Sequence, residues 1–179
     1  MTIETISFTG ARGGSGTTTI ATTFALHYAT QLVGCTSDIA HVTGTQPGEP
    51  LNAGLVVNPT VEDRDGLTVI DAGTIRHPRE FIPAANHRSY LVVRGPSYEG
   101  LRTFTETELH FDAAIVLHEP WRALGMKDAQ TALNMPIEAV VDHDPSISRL
   151  VDAGLMITRI KPTPIKYPRP HALKGGTTQ

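Results

Sequence analysis

Cysteine is almost missing from this chain: Cys35 is the single one in 179 residues. An internal disulfide framework is therefore excluded, and a reduced, cytoplasmic setting is the natural expectation. Long apolar runs are missing too. Nothing approaches the ~20 residues that cross a bilayer, so no transmembrane segment is expected. The opening Met1-Thr-Ile-Glu-Thr has neither a basic region nor an apolar stretch, and no signal peptide is expected. Aromatics make up only 6% of the residues, against 40% hydrophobic and 18% charged, a globular balance. The length suits one domain with a real core, expected over residues 1–160.

A general basic footprint is also lacking, since the net charge is −3. The charge is unevenly spread. Arg159, Lys161, Lys166, Arg169 and Lys174 close the chain without any acid, leaving the earlier part at −8. Pro162, Pro164, Pro168 and Pro170 fall in the same stretch, which ends Gly-Gly-Thr-Thr-Gln. Residues 161–179 read as an extended or disordered basic tail. It is either a solvated terminus or an arm for DNA, an acidic membrane or an acidic protein.

What the chain does have is concentrated near its start. Ile6-Ser-Phe-Thr runs as a short apolar strand into a loop with glycines at 10, 13, 14 and 16, and a helical pattern follows at once. Strand, glycine loop and helix in that order make a phosphate cradle. Glycines let the backbone wrap an anion, and the amides of the loop and first helical turn point into the hollow. The ordinary phosphate loop ends Gly-Lys-Ser/Thr. Here the matching residues are Gly16-Thr17-Thr18, without the lysine. The candidate nucleotide-binding residues are Gly10, Ala11, Arg12, Gly13, Gly14, Ser15, Gly16, Thr17, Thr18 and Thr19.

Along the chain, Thr5–Thr9 reads as a strand. Ile20, Phe24, Tyr28 and Leu32 recur at helical spacing, which predicts a helix from Thr18 to about Leu32, closed by Gly34. His27 within it reads as a boundary residue rather than a ligand. Ile39–Thr43 reads as a short second strand. From Gly44 to Arg64 only Leu55–Val57 looks strand-like. Leu67-Thr-Val-Ile-Asp71 is a compact strand ending in a carboxylate, and Tyr90–Val93, Ala113–Leu117 and Ile137–Val141 are further strands. Helical patterns lie at Tyr98–Glu108, Met126–Leu133 and Ser146–Val151. The alternation predicts an α/β fold: a three-layer, doubly wound, mostly parallel sheet of the P-loop NTPase kind.

In such a sheet ligands bind at the carboxyl ends of the strands. Thr18 and Asp71 are the candidate metal residues, holding Mg²⁺ through a hydroxyl and through a carboxylate. For Asp71 the alternative is a turn carboxylate after a strand. Asp142-His143-Asp144 and His118-Glu119 carry ligand types that suit Zn²⁺ or Mn²⁺, but adjacent residues point apart and a loop reading is preferred. Cys35 has no Cys or His partner at motif spacing.

These residues carry a family resemblance. Phe8-Thr-Gly-Ala-Arg-Gly-Gly-Ser-Gly-Thr-Thr-Thr-Ile-Ala resembles the deviant Walker A loop of the ParA/MinD family of ATPases. Val69-Ile-Asp-Ala-Gly resembles its Walker B strand. Tyr90-Leu-Val-Val-Arg-Gly-Pro is similar to its valine-threonine-x-proline strand, and Met135 to Pro162, with Asp144-Pro145 and Asp152-Ala153-Gly154, to its C-terminal run. The loop's form most resembles the CpaE/TadZ pilus-localisation branch. The resemblance implies ATP or ADP with Mg²⁺ as ligand. It also implies a nucleotide-sandwich homodimer, in which Arg12 stands where the family's lysine reaches the partner's phosphates, and a protein partner or DNA as the target.

The departures narrow the reading. Thr17 removes the cation that contacts the β- and γ-phosphates. The family's two second-strand aspartates fall by spacing near His41 and Thr43, with Asp38 the nearest acid. His118-Glu119 replaces the base-binding asparagine, and the stretch between strand two and the Walker B strand is truncated. Three hypotheses result. The first is a ParA/MinD-like protein with a degenerate site, working by dimerisation or partner docking in segregation or positioning, with weak or absent hydrolysis. The others are an active P-loop enzyme on a small molecule and a nucleotide-free scaffold.

Overall fold

The computed structural model describes residues 4–47, 49–52, 54–80 and 86–159. The basic tail at 161–179 lies outside them. β1 (Glu4–Gly10) leads into α1 (Thr17–Tyr28), then β2 (Gln31–Val33), α2 (Thr36–Thr43), β3 (Val56–Asn58), β4 (Leu67–Thr74) and β5 (His77–Pro78). β6 (Asn86–Gly95), α3 (Tyr98–Thr105), β7 (Ala113–His118), α4 (Met126–Leu133), β8 (Ile137–Asp142), α5 (Pro145–Asp152) and α6 (Met156–Arg159) follow. The strands form one sheet in the order β3-β2-β4-β1-β6-β7-β8, every pairing on that path parallel. β5 joins it as a short antiparallel extension of β4.

β6 shows why the chain adopts three layers. Tyr90 and Val92 pack toward α1 and α2, in a core with Phe8, Phe24, Leu32, Ile39 and Val69. Leu91 and Val93 pack on the opposite face with Leu101 of α3 and Ala129 and Leu133 of α4. Successive side chains of a strand point to opposite faces, so an unbroken apolar run requires cover on both. Three of the scarce aromatics meet at one place. Phe8 stacks on Tyr90 at 5.5 Å between ring centroids and meets Phe24 edge-on at 5.4 Å. Such contacts add to the burial of the rings themselves.

Two sequence expectations are corrected. Helix α1 ends at Tyr28, with Ala29 already extended at its C-cap. Leu32, expected on the helix, belongs instead to the buried strand β2. Ile39–Thr43, expected as the second strand, lies in α2, where Ile39, Ala40, Val42 and Thr43 form the buried face. A stripe at helical spacing had run on through a helix end that no glycine or proline marks. In consequence His41 and Thr43 do not lie at a strand's carboxyl end. The other expected elements fall within a few residues of their expected positions, β3 one residue later than Leu55–Val57, while β5 and α6 were not expected.

Candidate functional site

β1 delivers the chain into a tight loop at the carboxyl edge of the sheet. Arg12 N donates to Ser15 Oγ at 3.1 Å, and Ser15 N donates to the Arg12 carbonyl at 3.3 Å. Gly14 and Gly16 have φ of 74° and 82°, the left-handed region that glycine occupies without strain. Gly10 is required by closeness: a Cβ there would sit 2.4 Å from Thr17 Oγ1. Thr17 thus tucks its hydroxyl against the root of the loop. Gly16 caps α1 without a side-chain bond, and the first helical turn carries no acid. Its unpaired amides are therefore available to an anion.

The loop borders a cavity of about 580 Å³, lined by Arg12, the residues from Gly13 to Thr19, and Asp38, Asp71, Gly73, Thr74, Arg76, His77, Arg79 and Glu99. Eight of the ten candidate loop residues line it. Gly10 and Ala11 lie behind, Ala11 buried against α3 and β6. The cavity is therefore built from the loop, the first turn of α1, α2, the β4–β5 hairpin and the start of α3.

Thr18 and Asp71, 53 positions apart, meet at its floor. Thr18 Oγ1 donates to Asp71 Oδ2 at 2.6 Å, and Gly73 N donates to Asp71 Oδ1 at 3.1 Å. Asp71 is only 1% exposed. Burial pushes its carboxyl pKa up, against the Thr18 hydroxyl, the Gly73 amide and the positive charge of Arg79. A buried carboxylate that is incompletely neutralised has a strong preference for a cation beside it. With a hydroxyl oxygen next to it, the donor set is all oxygen and suits Mg²⁺. The residues fit the metal. Among the described residues, no cluster of three or more His, Cys, Asp or Glu makes a further metal site. His118 Nδ1 lies 3.1 Å from Asp142 Oδ1, His143 packs edge-on to Trp121, and Asp144 caps α5 by accepting from Ser146 N.

The cations of the cavity are arginines. Arg12 Nη1 is paired with Glu99 Oε2 at 2.9 Å, and Arg79 Nη2 with Asp38 Oδ2 at 3.0 Å. Asp38, the acid nearest the expected second-strand carboxylates, does reach the cavity, from the first turn of α2. Beside the loop, Arg94 holds Glu119 at 2.8 Å while its Nη1 lies 3.4 Å from the Gly14 carbonyl. Arg122 grips the other oxygen of Glu119 at 2.6 Å.

Sequence reasoning missed Glu99, Thr74, Arg76, His77 and Arg79. Glu99 carried no signal. The last four follow Asp71-Ala-Gly directly, and the glycine there, with φ of 75°, marked a turn at the candidate site. β5 is two residues long, too short for any period to show.

No family model and no curated protein sequence matches the chain. Solved structures do. A MinD cell division protein from Aquifex aeolicus superposes with a TM-score of 0.65 at 18% identity, over 90% of this chain and 92% of that one. A ParA family ATPase from Chlorobium tepidum TLS gives 0.63 at 13% identity, covering 89% and 93%. The septum site-determining protein MinD from Pyrococcus horikoshii OT3, complexed with Mg-ADP, gives 0.62 at 15% identity, covering 89% of each chain. Over nearly its whole length, the chain has the fold shared by MinD and ParA-family ATPases.

Proposed function

We propose that this chain is a ParA/MinD-like nucleotide-binding protein. It holds ATP or ADP with Mg²⁺ in a degenerate phosphate loop, and acts by dimerisation or partner docking in DNA segregation or subcellular positioning. The observation that carries the reading is the Thr18–Asp71 pair at 2.6 Å, its carboxylate buried beneath an open phosphate loop. Loop amides hold the phosphates, Thr18 and Asp71 hold Mg²⁺, and the bound metal supplies charge neutralisation. The structural likeness to a MinD complexed with Mg-ADP supports the same ligand. The loop's wording keeps the CpaE/TadZ branch as the one it most resembles.

Two features argue for weak or absent hydrolysis. Thr17 brings no cation to the transferred phosphate, whose developing charge an active site must neutralise. Asp38, the acid nearest the expected second-strand carboxylates, is already committed to Arg79. Arg12 is about a third exposed and is held by Glu99, ready to exchange that partner for phosphate across a dimer.

The test is binding of fluorescent ADP with and without Mg²⁺. The native protein should saturate, and magnesium should tighten the complex. Asp71→Ala should abolish the magnesium-dependent part. An unchanged magnesium effect in Asp71→Ala would show that the metal is held elsewhere.

A further inference from the structure

We propose that the β4–β5 hairpin replaces the lost loop lysine. Arg76 supplies the unpaired charge and Arg79, held by Asp38, further donors for the phosphates, so the site reads the magnesium-bound polyphosphate and is nearly indifferent to the base. This inference rests on the phosphate loop being a nucleotide site. It concerns where the binding charge comes from and which part of the ligand is recognised.

The hairpin is fixed to the loop. Its turn is Ile75-Arg76, and Ile75 N donates to the carbonyl of Gly10, the first loop residue, at 2.9 Å. Arg79 N donates back to the Ala72 carbonyl at 3.0 Å, closing the hairpin. β4 carries Asp71, and the turn, β5 and the residue just after it carry Arg76, His77 and Arg79, all lining the one cavity. Main-chain bonds thus hold the hairpin beside the metal-site carboxylate.

Charge then decides what the cavity takes. Arg12 and Glu99 neutralise each other, as do Arg79 and Asp38. Among the described residues Arg76 has no carboxylate partner, and it lines the same cavity as Asp71. Without metal the lining is close to neutral. Mg²⁺ on Asp71 would make it net positive by two charges, which matches a polyphosphate rather than a single neutral or cationic ligand. Arginine presents a fork of donors that suits phosphate oxygens, so the hairpin can stand in for a lysine arriving from the loop.

None of the described lining residues comes from β7 or the loop after it. Leu117 of β7 lies against the loop, where a Cβ on Gly16 would meet its Cδ2 at 3.0 Å. Glu119 is 3% exposed, and both of its carboxylate oxygens are taken by Arg94 and Arg122. Its carboxylate is buried and committed to the two arginines. The recognition energy is left to the phosphates.

The experiment is competition against fluorescent ADP in the presence of Mg²⁺, with ATP, GTP and inorganic tripolyphosphate as competitors. The inhibition constants should agree within a few-fold. Arg76→Ala should weaken ADP and tripolyphosphate alike by about tenfold, the order expected for one charge-assisted contact, and Arg76→Lys should restore part of the loss. Arg79→Ala should weaken both further, because it also leaves Asp38 unpaired beside the phosphates. Thermal melts matching the native protein exclude misfolding for the exposed Arg76. If ADP binds but tripolyphosphate does not compete, or both arginine variants bind as the native protein does, this inference is overturned and the nucleotide reading stands. If no ligand binds the native protein, both fall.

Discussion

Glu119 is an acid buried between two arginines. It is 3% exposed and bonded to Arg122 at 2.6 Å and to Arg94 at 2.8 Å. Burial alone would raise its pKa, but the hydrogen bonds and charges of the two arginines outweigh it and hold the carboxyl below the usual glutamate range. A depressed folded-state pKa contributes stability that is fully present above the unfolded value and is lost as pH falls through the folded one. Both arginines are more than a third exposed, at 35% and 39%, so solvent screens the pairs. Glu119→Gln should therefore cost about 1–2 kcal/mol at neutral pH. Urea unfolding should show the gap between native and variant closing as the pH is lowered past the ordinary glutamate range. A gap that stays constant with pH would mean that the carboxylate charge contributes nothing.

Among the elements, the closest approach is where α2 ends. Gly44 has φ of 75°, and a Cβ there would sit 1.8 Å from the carbonyl oxygen of Gly154, in the turn after α5. Gly44→Ala combines a strained left-handed backbone with a clash against main chain that cannot rotate away. The expected loss exceeds ~2 kcal/mol. Gly54→Ala, where the nearest atom would be 3.8 Å away, should stay within about 1 kcal/mol and serves as the control in the same thermal melts. A second prediction belongs to the loop and hairpin together. Thr17→Lys returns a cation to the loop, so it should tighten magnesium-dependent ADP binding. It should also shrink the penalty of Arg76→Ala, because the two cations serve the same phosphates. Strictly independent effects in the double variant would show that they act at separate places.

For the molecule as a whole, the sheet and the cavity were legible to different depths. Unbroken runs such as Tyr90–Val93 announce strands buried on both faces, and the loop from Gly10 to Thr19 announces its own position. The junction from α1 to α2 was not legible. Leu32 continues the phase of Ile20, Phe24 and Tyr28, and Gly34 offers a false stop beyond the true end at Tyr28. Ile39–Thr43 is too short for its period to separate a helix face from a strand. Thr18 and Asp71 could be paired from the sequence because one follows the glycine loop after the first apolar strand and the other ends the Leu67–Ile70 apolar run. The hairpin arginines could not, since what brings them in is a main-chain bond between Ile75 and Gly10.

On the proposed reading the phosphate site holds its ligand without efficiently breaking it. One measurement bears on it most directly: titration of the purified protein with ATP and Mg²⁺, followed by phosphate release from the saturated complex. The account predicts saturable, magnesium-dependent binding with turnover far below the ~1 s⁻¹ at the low end of ordinary enzymes. Rapid phosphate release, or no binding in the presence of magnesium, would contradict it.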